Sequence, residues 1–337
     1  GTTEMNVNSL KKVLPVVAAL IIVGLPINVV LLGILGSKFF GFSLIISLVF
    51  AAMIVPTDPA AVLSVFHEFR APEDLSVSVE GESILNDGVS VVVFLSLMAV
   101  AQDDATQVTD LATISGMLDL AFKMVVTAGG GLLVGGVIGT VFHRARSRIN
   151  DGKALILLTI SLAYGSFLIS EHVFGFSGIL AVVATGLMFG ARTKEDEEDD
   201  DVGFMHDVWD IAAFLTTTML YILIGLKVPF GDFIEFWHLI IVAYILTLFV
   251  RLIVTLPILS VLDRFLTQNL DLDTQTVFVW AGLHTVVPVA LVLSLDPGFA
   301  HFEAVRSMVF GVVILSTAIQ GLLMPYVLRA TGIVSGS

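Results

Sequence analysis

Charged side chains stand inside long apolar stretches of this sequence at a few positions. Asp58 lies in the run PTDP, Glu82 and Asp87 lie in the run EGESILNDG, and Arg251 lies in the run LTLFVRLIVTLP. A charge at the centre of a membrane helix costs at least about 2.5–3.5 kcal/mol on insertion scales. Such groups must therefore face one another or a water-filled cavity, and they are the first candidates for a functional site.

The spacing within EGESILNDG sorts its polar side chains onto two strips of one helix. Ser83 and Asp87 are four residues apart and share a face, and Glu82 and Asn86 share the adjacent strip. The first strip offers a hydroxyl and a carboxylate to a cation. The second brings Glu82 towards a neighbouring helix, where Arg251 is its natural partner in a structural ion pair.

The chemistry of these groups indicates a site for a small alkali cation. Carboxylate, hydroxyl and carbonyl oxygens are the hard ligands that such a cation prefers. A proline break at Thr57 would free backbone carbonyls for the same purpose. Because Asp58 and Asp87 cannot both ionise cheaply in one low-dielectric pocket, either a proton or a sodium ion would neutralise the pair. Competition of this kind is the minimum that an antiporter needs.

The composition predicts the elements that position these residues. Apolar residues make up 56% of the 337 positions and charged residues 14%, with a mean hydropathy of +0.98, against roughly 45–50% and about 25% in soluble domains. The apolar residues fall in blocks of about 20, the length of a membrane-spanning helix. We therefore predict an all-α, polytopic membrane protein with about ten transmembrane helices. The ten predicted spans are Leu14–Leu35, Phe42–Phe66, Val79–Ala101, Leu111–Phe142, Ala154–His172, Phe176–Ala191, Val208–Leu226, Ile234–Leu262, Thr276–Leu295 and Ala304–Leu328.

Two of the predicted spans contain prolines that should break them. Phe42–Phe66 contains Pro56 and Pro59, and Thr276–Leu295 contains Pro288, so we expect each helix to break at those prolines. Each is the middle span of a three-span group near one end of the chain. This arrangement predicts inverted repeats whose two broken helices cross at a midplane site; a pair of ordinary proline kinks is the alternative.

Charge outside the spans predicts orientation and partners. If the spans alternate, eleven Lys and Arg residues fall on one side and three on the other, so the richer side, with both ends of this chain, is cytoplasmic. The eleven are Lys11, Lys12, Arg70, Arg144, Arg146, Arg148, Lys153, Arg192, Lys194, Arg264 and Arg329, and the three are Lys38, Lys227 and Arg306.

The net charge of −14 argues against nucleic acid as a partner, and the absence of cysteine excludes disulfides and thiolate chemistry. Expected partners are monovalent cations, protons and the lipid bilayer.

Several stretches together resemble the NhaP-type sodium–proton antiporters, which are relatives of the animal plasma-membrane sodium–proton exchangers. They are TDPAAVLSVF, EGESILNDG, FGFSGILAVVATGLMFG, FVRLIV and WAGLHTVVPVALVLSL. The resemblance implies a cell-membrane antiporter rather than an enzyme, with no cofactor and with sodium and protons as its cargo. It also implies homodimers, a core of two crossed broken helices and an elevator-like motion of that core.

The resemblance assigns roles residue by residue. Asp58, Asp87, Ser83 and the Thr57 backbone would hold the ion. Asn86 would stand where electrogenic relatives carry a second aspartate, which favours electroneutral exchange. Glu82 and Arg251 would form the structural ion pair of the family.

The resemblance also implies a domain organisation and two departures from the family. Residues 1–101 and 231–337 would form the two halves of the ion-binding core, and 102–230 a linker helix and the dimerisation scaffold. About three N-terminal helices of the family are expected to be absent. His284 stands where relatives have Gly-Leu-Arg-Gly, and we expect a structural histidine, with pH sensing as the alternative.

Rival interpretations differ in what they leave unexplained. Potassium–proton exchange is the nearest, because the same oxygens serve both ions. A serine-type intramembrane protease would use Ser83 with His284 as its base, but it leaves Asp58, Asp87 and Arg251 without a purpose. An aspartyl-type protease would use two buried acids, but it needs a GxGD run that this sequence lacks. An ion channel lacks both a carbonyl-filter signature and an arginine-repeat voltage sensor in this sequence.

Overall fold

The computed structural model describes residues 7–102, 114–146, 151–190, 200–228, 230–265 and 270–334, and all of the elements in these ranges are helices. They divide into two compact units. Unit 2 comprises Ser9–Asp104 and Ile224–Ser337, and unit 1 comprises Gly1–Asn8 and Ala105–Leu223.

Unit 2 contains two groups of helices with the same order of long, broken and long elements. The first group is α1 (Val7–Ala19), a π-helical turn (Leu20–Gly24), α2 (Leu25–Phe39), α3 (Leu44–Ile54), α4 (Ala60–Phe69) and α5 (Glu73–Gln102). The second is α10 (Phe230–Asp263), α11 (Leu272–Trp280), α12 (Val286–Leu293), α13 (Phe302–Leu315), a π-helical turn (Ser316–Gly321) and α14 (Leu322–Ala330). In each group the middle span is two half-helices, α3 with α4 and α11 with α12.

Unit 1 contains the helices between the two groups. They are α6 (Ile114–Arg146), α7 (Gly152–Leu168) with a π-helical turn (Ile169–Val173), α8 (Gly178–Gly190) and α9 (Asp200–Lys227), whose last four residues fall in unit 2. A stripe of glycines on α6 faces the backbone of α8. At Gly131, Gly135 and Gly139 an added Cβ would meet the carbonyl oxygens of α8 or of Ser177 just before it. Glycine there allows the two backbones to approach closely.

The core of unit 2 is built from both groups. Side chains from the first group, such as Val16, Val62 and Phe66, are buried against Leu259 and Phe278 of the second. Many apolar side chains on the outer faces of the helices remain exposed, as Ile22 and Ile234 do at 72% and 81%. Apolar outer faces of this kind are typical of helices that meet lipid.

Seven described helices are long and apolar enough to cross a membrane. They are Lys12–Phe39, Glu73–Ala101, Leu118–His143, Gly152–Val173, Gly203–Lys227, Gly231–Asp263 and Phe302–Ala330. The other three predicted spans correspond to the short helix α8 and to the two pairs of half-helices. The all-helical fold is thus confirmed, whereas the count of ten full-length spans is not.

The second break was predicted at the wrong place. The chain leaves the helix after Trp280 and re-enters it at Val286, so Pro288 lies in the first turn of α12 rather than in the gap. The physical reason is that the first turn of a helix has no intrahelical partner for its N–H groups, so a proline is tolerated there. The first break lies where predicted, between Ile54 and Ala60.

Some sequence predictions fall outside the described residues. Arg148, Arg192 and Lys194, three of the eleven cations used for orientation, lie there.

Candidate ion-binding site

The two breaks of unit 2 meet at Asp58. The backbone N–H of Asp58 donates to the carbonyl of Leu283 at 2.7 Å. Its Oδ1 accepts from the N–H of Ala60 at 2.9 Å, and its Oδ2 accepts from the hydroxyl of Thr285. One aspartate in the first break is thereby bound to its own half-helix and to the second break.

The half-helices explain why a negative charge is stable at this point. Helix α4 begins at Ala60, beside Asp58, and helix α12 begins at Val286, directly after Thr285. The N-terminus of a helix carries a partial positive charge and unpaired N–H groups. Asp58 therefore serves as a side-chain acceptor at the start of α4 and lies close to the start of α12.

Three consecutive carbonyls of the first break each accept a hydrogen bond from a side chain. The carbonyl of Val55 accepts from Asn86 at 3.3 Å, that of Pro56 from the His284 ring at 3.0 Å, and that of Thr57 from the hydroxyl of Ser83. Unwinding removed the helical partners of these oxygens, and no water is present in a bilayer core to replace them. A carbonyl oxygen has two lone pairs, so the Thr57 oxygen can still act as a ligand for a cation.

Asp87 differs from Asp58 because one of its oxygens has no donor. Its Oδ1 is buried and has no hydrogen-bond partner among the described residues, while the charges of Asp58 and Glu82 both act on the carboxylate. An unsatisfied buried acceptor costs about 1–3 kcal/mol, and more when it is charged. A bound proton or a bound cation would remove that penalty.

Glu82 and Arg251 form a bidentate ion pair inside unit 2. The guanidinium donates to the two carboxylate oxygens at 3.1 and 3.0 Å, and both side chains are less than 10% exposed. Arg251 also donates to the carbonyls of Val279 and Phe278 at 3.1 and 3.3 Å, at the end of α11. A cation at a helix C-terminus interacts favourably with its dipole. Gly282 is required beside it, because a Cβ there would collide with the guanidinium.

The surroundings of His284 define its tautomer. Nδ1 faces the Pro56 carbonyl, which can only accept, so Nδ1 carries the proton in the neutral ring and Nε2 is an acceptor. His284, Asn86, Glu82, Arg251, Asn28 and Thr255 line a cavity of about 20 Å³, which is about the space that one water molecule needs.

Four contributors to this site were missed at the sequence level. They are the carbonyl of Leu283 and the hydroxyl of Thr285, which bind Asp58, and the side chains of Ser316 and Gln320, which bind the second break. Gln320 carried a readable signal, because it is an amide in the middle of an apolar span, and a polar side chain there needs a partner. Nothing in the sequence distinguished Thr285 from an ordinary helical threonine.

The described residues bring Asp58, Thr57, Ser83, Asn86 and His284 into one hydrogen-bonded cluster, with Asp87 one turn beyond Ser83 on the same helix. In these residues no three His, Cys, Asp or Glu side chains gather as they would around a divalent metal. Carboxylate, hydroxyl and carbonyl oxygens are the available ligands, and they suit an alkali cation.

Comparison with known proteins gives consistent similarities. A family profile described as "Sodium/hydrogen exchanger, transmembrane" matches residues 2–330. The Na⁺/H⁺ antiporter ApNhaP of Aphanothece halophytica is 31% identical over 97% of this chain and 61% of its own length. The Na⁺/H⁺ antiporter NhaG of Bacillus atrophaeus is 32% identical over 85% of this chain and 52% of its own length. The chain therefore spans between half and two thirds of these relatives.

Among solved structures, the sodium proton antiporter MjNhaP1 of Methanocaldococcus jannaschii has a similar fold. The TM-score is 0.82 at 17% identity, and the match covers 98% of this chain and 82% of the other.

Proposed function

Because this chain belongs to the sodium/hydrogen exchanger family, we propose that it forms the transport body of an antiporter that exchanges sodium for protons. The chain is a multi-pass membrane protein, and we propose the cell membrane as its location. Lithium is expected as a second substrate, because it presents the same charge to the same oxygens.

The observation that carries the proposal is the Asp87 oxygen, which has no hydrogen-bond partner among the residues that the structure describes. It is buried on the helix that also provides Ser83, whose hydroxyl reaches the Thr57 carbonyl of the first break. A proton and a sodium ion are alternative ways to satisfy this carboxylate, and the two cannot occupy it together. Exclusive occupation of one group by either ion is what couples their movements in opposite directions.

Asp58 and Asn86 determine how many charges move. Asp58 accepts from the N–H of Ala60 and from the hydroxyl of Thr285, and we propose that it keeps its charge throughout the cycle. Asn86 donates to the Val55 carbonyl and accepts from Ser90 at 2.9 Å, and its amide does not titrate. With Asp87 alone exchanging its ion, the exchange is one sodium for one proton and is electroneutral.

The two units would divide the work. Unit 2 contains every residue assigned to the ion and would be the transport core, while unit 1 would be the scaffold through which two copies dimerise. An elevator-type motion of the core is the mechanism that follows from the family resemblance. No cofactor is required by this scheme.

Proton flux in liposomes tests the proposal directly. The protein is reconstituted with an internal pH dye, and outward or inward gradients of sodium, lithium or potassium are imposed. We expect sodium and lithium gradients to drive protons in the opposite direction. We expect Asp58→Asn to weaken apparent sodium affinity severely, because the site loses the charge that balances the cation.

Each outcome of this experiment is decisive. Flux driven by potassium alone would replace sodium by potassium as the substrate. Proton flux absent under all three gradients, in a correctly folded sample, would refute antiport. An unchanged sodium affinity in Asp58→Asn would reduce Asp58 to a structural role.

A further inference from the structure

The π-helical turn Ser316–Gly321 of the last span contacts the second break through two buried polar side chains. We infer that Gln320 and Ser316 are positioning residues for the ion site, an inference that rests on the proposed function because it takes Asp58 to be an ion ligand. Neither side chain is close to Asp58 in the sequence, and both are fully buried. They act on the site through the backbone of residues 281–285.

Gln320 binds the edges of the second break with its amide. Its Nε2 donates to the carbonyl of Trp280 at 3.1 Å and to that of Gly282 at 3.4 Å. In return the indole of Trp280 donates to the backbone carbonyl of Gln320 at 3.1 Å. The carbonyls of Trp280 and Gly282 lie where α11 has ended, so Gln320 replaces helical hydrogen bonds that unwinding removed.

Ser316 continues this network to the first break. Its hydroxyl donates to Oε1 of Gln320 at 2.8 Å and accepts from the backbone N–H of His284 at 3.1 Å. The ring of His284 then reaches the Pro56 carbonyl at 3.0 Å. A continuous chain of hydrogen bonds therefore runs from Gln320 through Ser316 and His284 to the first break.

The residues held by this network are the direct neighbours of those that bind Asp58. Leu283 lies between Gly282 and His284, and its carbonyl accepts from the N–H of Asp58 at 2.7 Å. Thr285 follows His284, and its hydroxyl donates to the Asp58 carboxylate. If Gly282 and His284 are held in place, the neighbouring Leu283 and Thr285 are held as well. The Leu283 contact positions the backbone of Asp58, and Thr285 provides one of the donors to its carboxylate.

Both residues of this hydrogen-bond network that come from the last span lie in its π-helical turn. A π-turn inserts one extra residue into a helix and redirects the side chains that follow it, and such turns are frequent at functional sites. Ser316 is the first and Gln320 the fifth residue of this turn, and both are buried. The Gln320 amide has two donors for the carbonyls of Trp280 and Gly282, and its oxygen accepts from the Ser316 hydroxyl, which itself accepts from the His284 N–H.

Two variants and a matched control test the inference. Gln320→Met keeps the approximate shape and removes the donors, and Ser316→Ala removes the hydroxyl that links Gln320 to His284. Ser316→Thr keeps a hydroxyl and should rescue. Ser307→Ala is the control, because Ser307 is a fully buried serine of the same span whose hydroxyl has no partner among the described residues.

Two measurements on the purified protein separate positioning from general stability. The first is hydrogen exchange of peptides that cover residues 56–60 and 282–286, and it does not depend on transport. The second is the apparent KM for sodium and the maximal rate of proton flux in liposomes. In Gln320→Met and Ser316→Ala we expect faster exchange in both peptides and a KM raised roughly two- to tenfold, the range that one or two lost hydrogen bonds give. The maximal rate should change less than KM.

The outcomes distinguish this inference from the proposed function. Unchanged local exchange in Gln320→Met and Ser316→Ala would overturn the inference even if the wild-type protein transports sodium. A change of the same size in Ser307→Ala would also overturn it, because the effect would then be ordinary core packing. If the wild-type protein transports no ion, the proposed function fails. Hydrogen exchange still decides whether Gln320 and Ser316 hold the second break in position. Should Gln320→Met not fold, Ser316→Ala and its threonine rescue give the decision.

Discussion

Asp87 combines a buried oxygen that has no donor in the described part of the chain with the negative charges of Asp58 and Glu82. Replacing it by asparagine should remove an unfavourable charge and at the same time remove the ion's attachment point. We predict that Asp87→Asn keeps or raises the melting temperature without sodium, loses the rise that sodium gives the wild type, and loses exchange. A ligand at 100 times its Kd stabilises the folded state by about 2.7 kcal/mol, so the loss is measurable by thermal melting in detergent.

The matched control for this prediction lies on the same helix. Asp74 is in the first turn of α5, is 44% exposed and pairs with Lys12. Asp74→Asn should leave the sodium-dependent rise in melting temperature intact. A sodium-dependent rise that persists in Asp87→Asn would place the cation elsewhere.

The Glu82–Arg251 pair allows a second prediction, on stability. Glu82→Gln and Arg251→Met should each be strongly destabilising, by about 3–5 kcal/mol, because each leaves a buried charge without its partner. Arg251→Met should be the more severe, since the carbonyls of Val279 and Phe278 also lose their donor. The double variant should lose much less than the sum of the two single losses, as measured by melting in detergent.

The exposed pair Asp119–Lys123 provides the comparison for this set of two single variants and one double variant. It is an i, i+4 pair with side chains 62% and 70% exposed, so its coupling should be no more than about 0.3–0.5 kcal/mol. Additive losses for Glu82 and Arg251 would contradict the bidentate contact.

The ionisable residues of the candidate site were predictable from the sequence. The physical reason is the free-energy cost of placing a charge inside a membrane helix. Asp58, Asp87, Glu82 and Arg251 stand out because charge is expensive in a membrane helix. The single hydroxyl groups of Thr285 and Ser316 have no comparable cost, which is why these two residues were missed. The sequence also could not indicate that the Val55, Pro56 and Thr57 carbonyls already accept hydrogen bonds, because such contacts depend on how helices distant in sequence pack.

At the scale of elements, the two breaks show what a proline does and does not predict. In the first, Pro56 and Pro59 lie within the unwound segment between α3 and α4. In the second, the gap lies before Pro288, where Gly282 gives room for the Arg251 guanidinium. The existence of the second break was predictable, but its position was not, because the contacts of Gly282 and Leu283 come from helices that are distant in the sequence.

The contact between α6 and α8 supports a prediction about unit 1. An added Cβ at Gly135 would collide with the backbone carbonyl of Ala181, and the hydroxyl of Thr185 donates to the Gly135 carbonyl at 3.0 Å. Because backbone atoms cannot move aside as a flexible side chain can, Gly135→Ala should separate the helices. We expect a lower melting temperature and a lower yield of folded protein in detergent.

Gly136 is the control, since it is the next residue on α6 and a Cβ there has no heavy atom within 4 Å. Gly136→Ala should be neutral or slightly stabilising, because alanine is favoured over glycine in helices by about 1 kcal/mol. Equal effects of the two substitutions would contradict the close approach of α6 to α8.

At the scale of the whole molecule, composition alone predicted the class of protein and left the detail of the spans open. Blocks of about 20 apolar residues indicate membrane helices whatever their tertiary contacts, because the bilayer imposes the same length on each. The short helix α8 and the two pairs of half-helices do not follow this rule, because none of them is one continuous helix of that length. The prolines indicate that two of these spans are broken, but the contacts of Asp58 with Leu283 and Thr285, which join the two breaks, leave no mark in the sequence.

The last prediction concerns the net charge that crosses the membrane in one cycle. If Asp58 stays ionised and Asn86 cannot titrate, Asp87 carries one sodium ion in one direction and one proton in the other, and no net charge moves. Such a cycle should ignore membrane voltage, whereas one net charge would couple to about 2.3 kcal/mol per 100 mV. The measurement is sodium-driven proton flux in liposomes, first at zero potential and then with a potassium–valinomycin potential of either sign. Asn86→Asp is the informative variant, because its second titrating carboxylate could carry an extra proton and make the flux voltage-dependent. A wild-type rate or endpoint that follows the voltage would refute the one-for-one assignment and would implicate Asp58 or His284 as a second proton carrier.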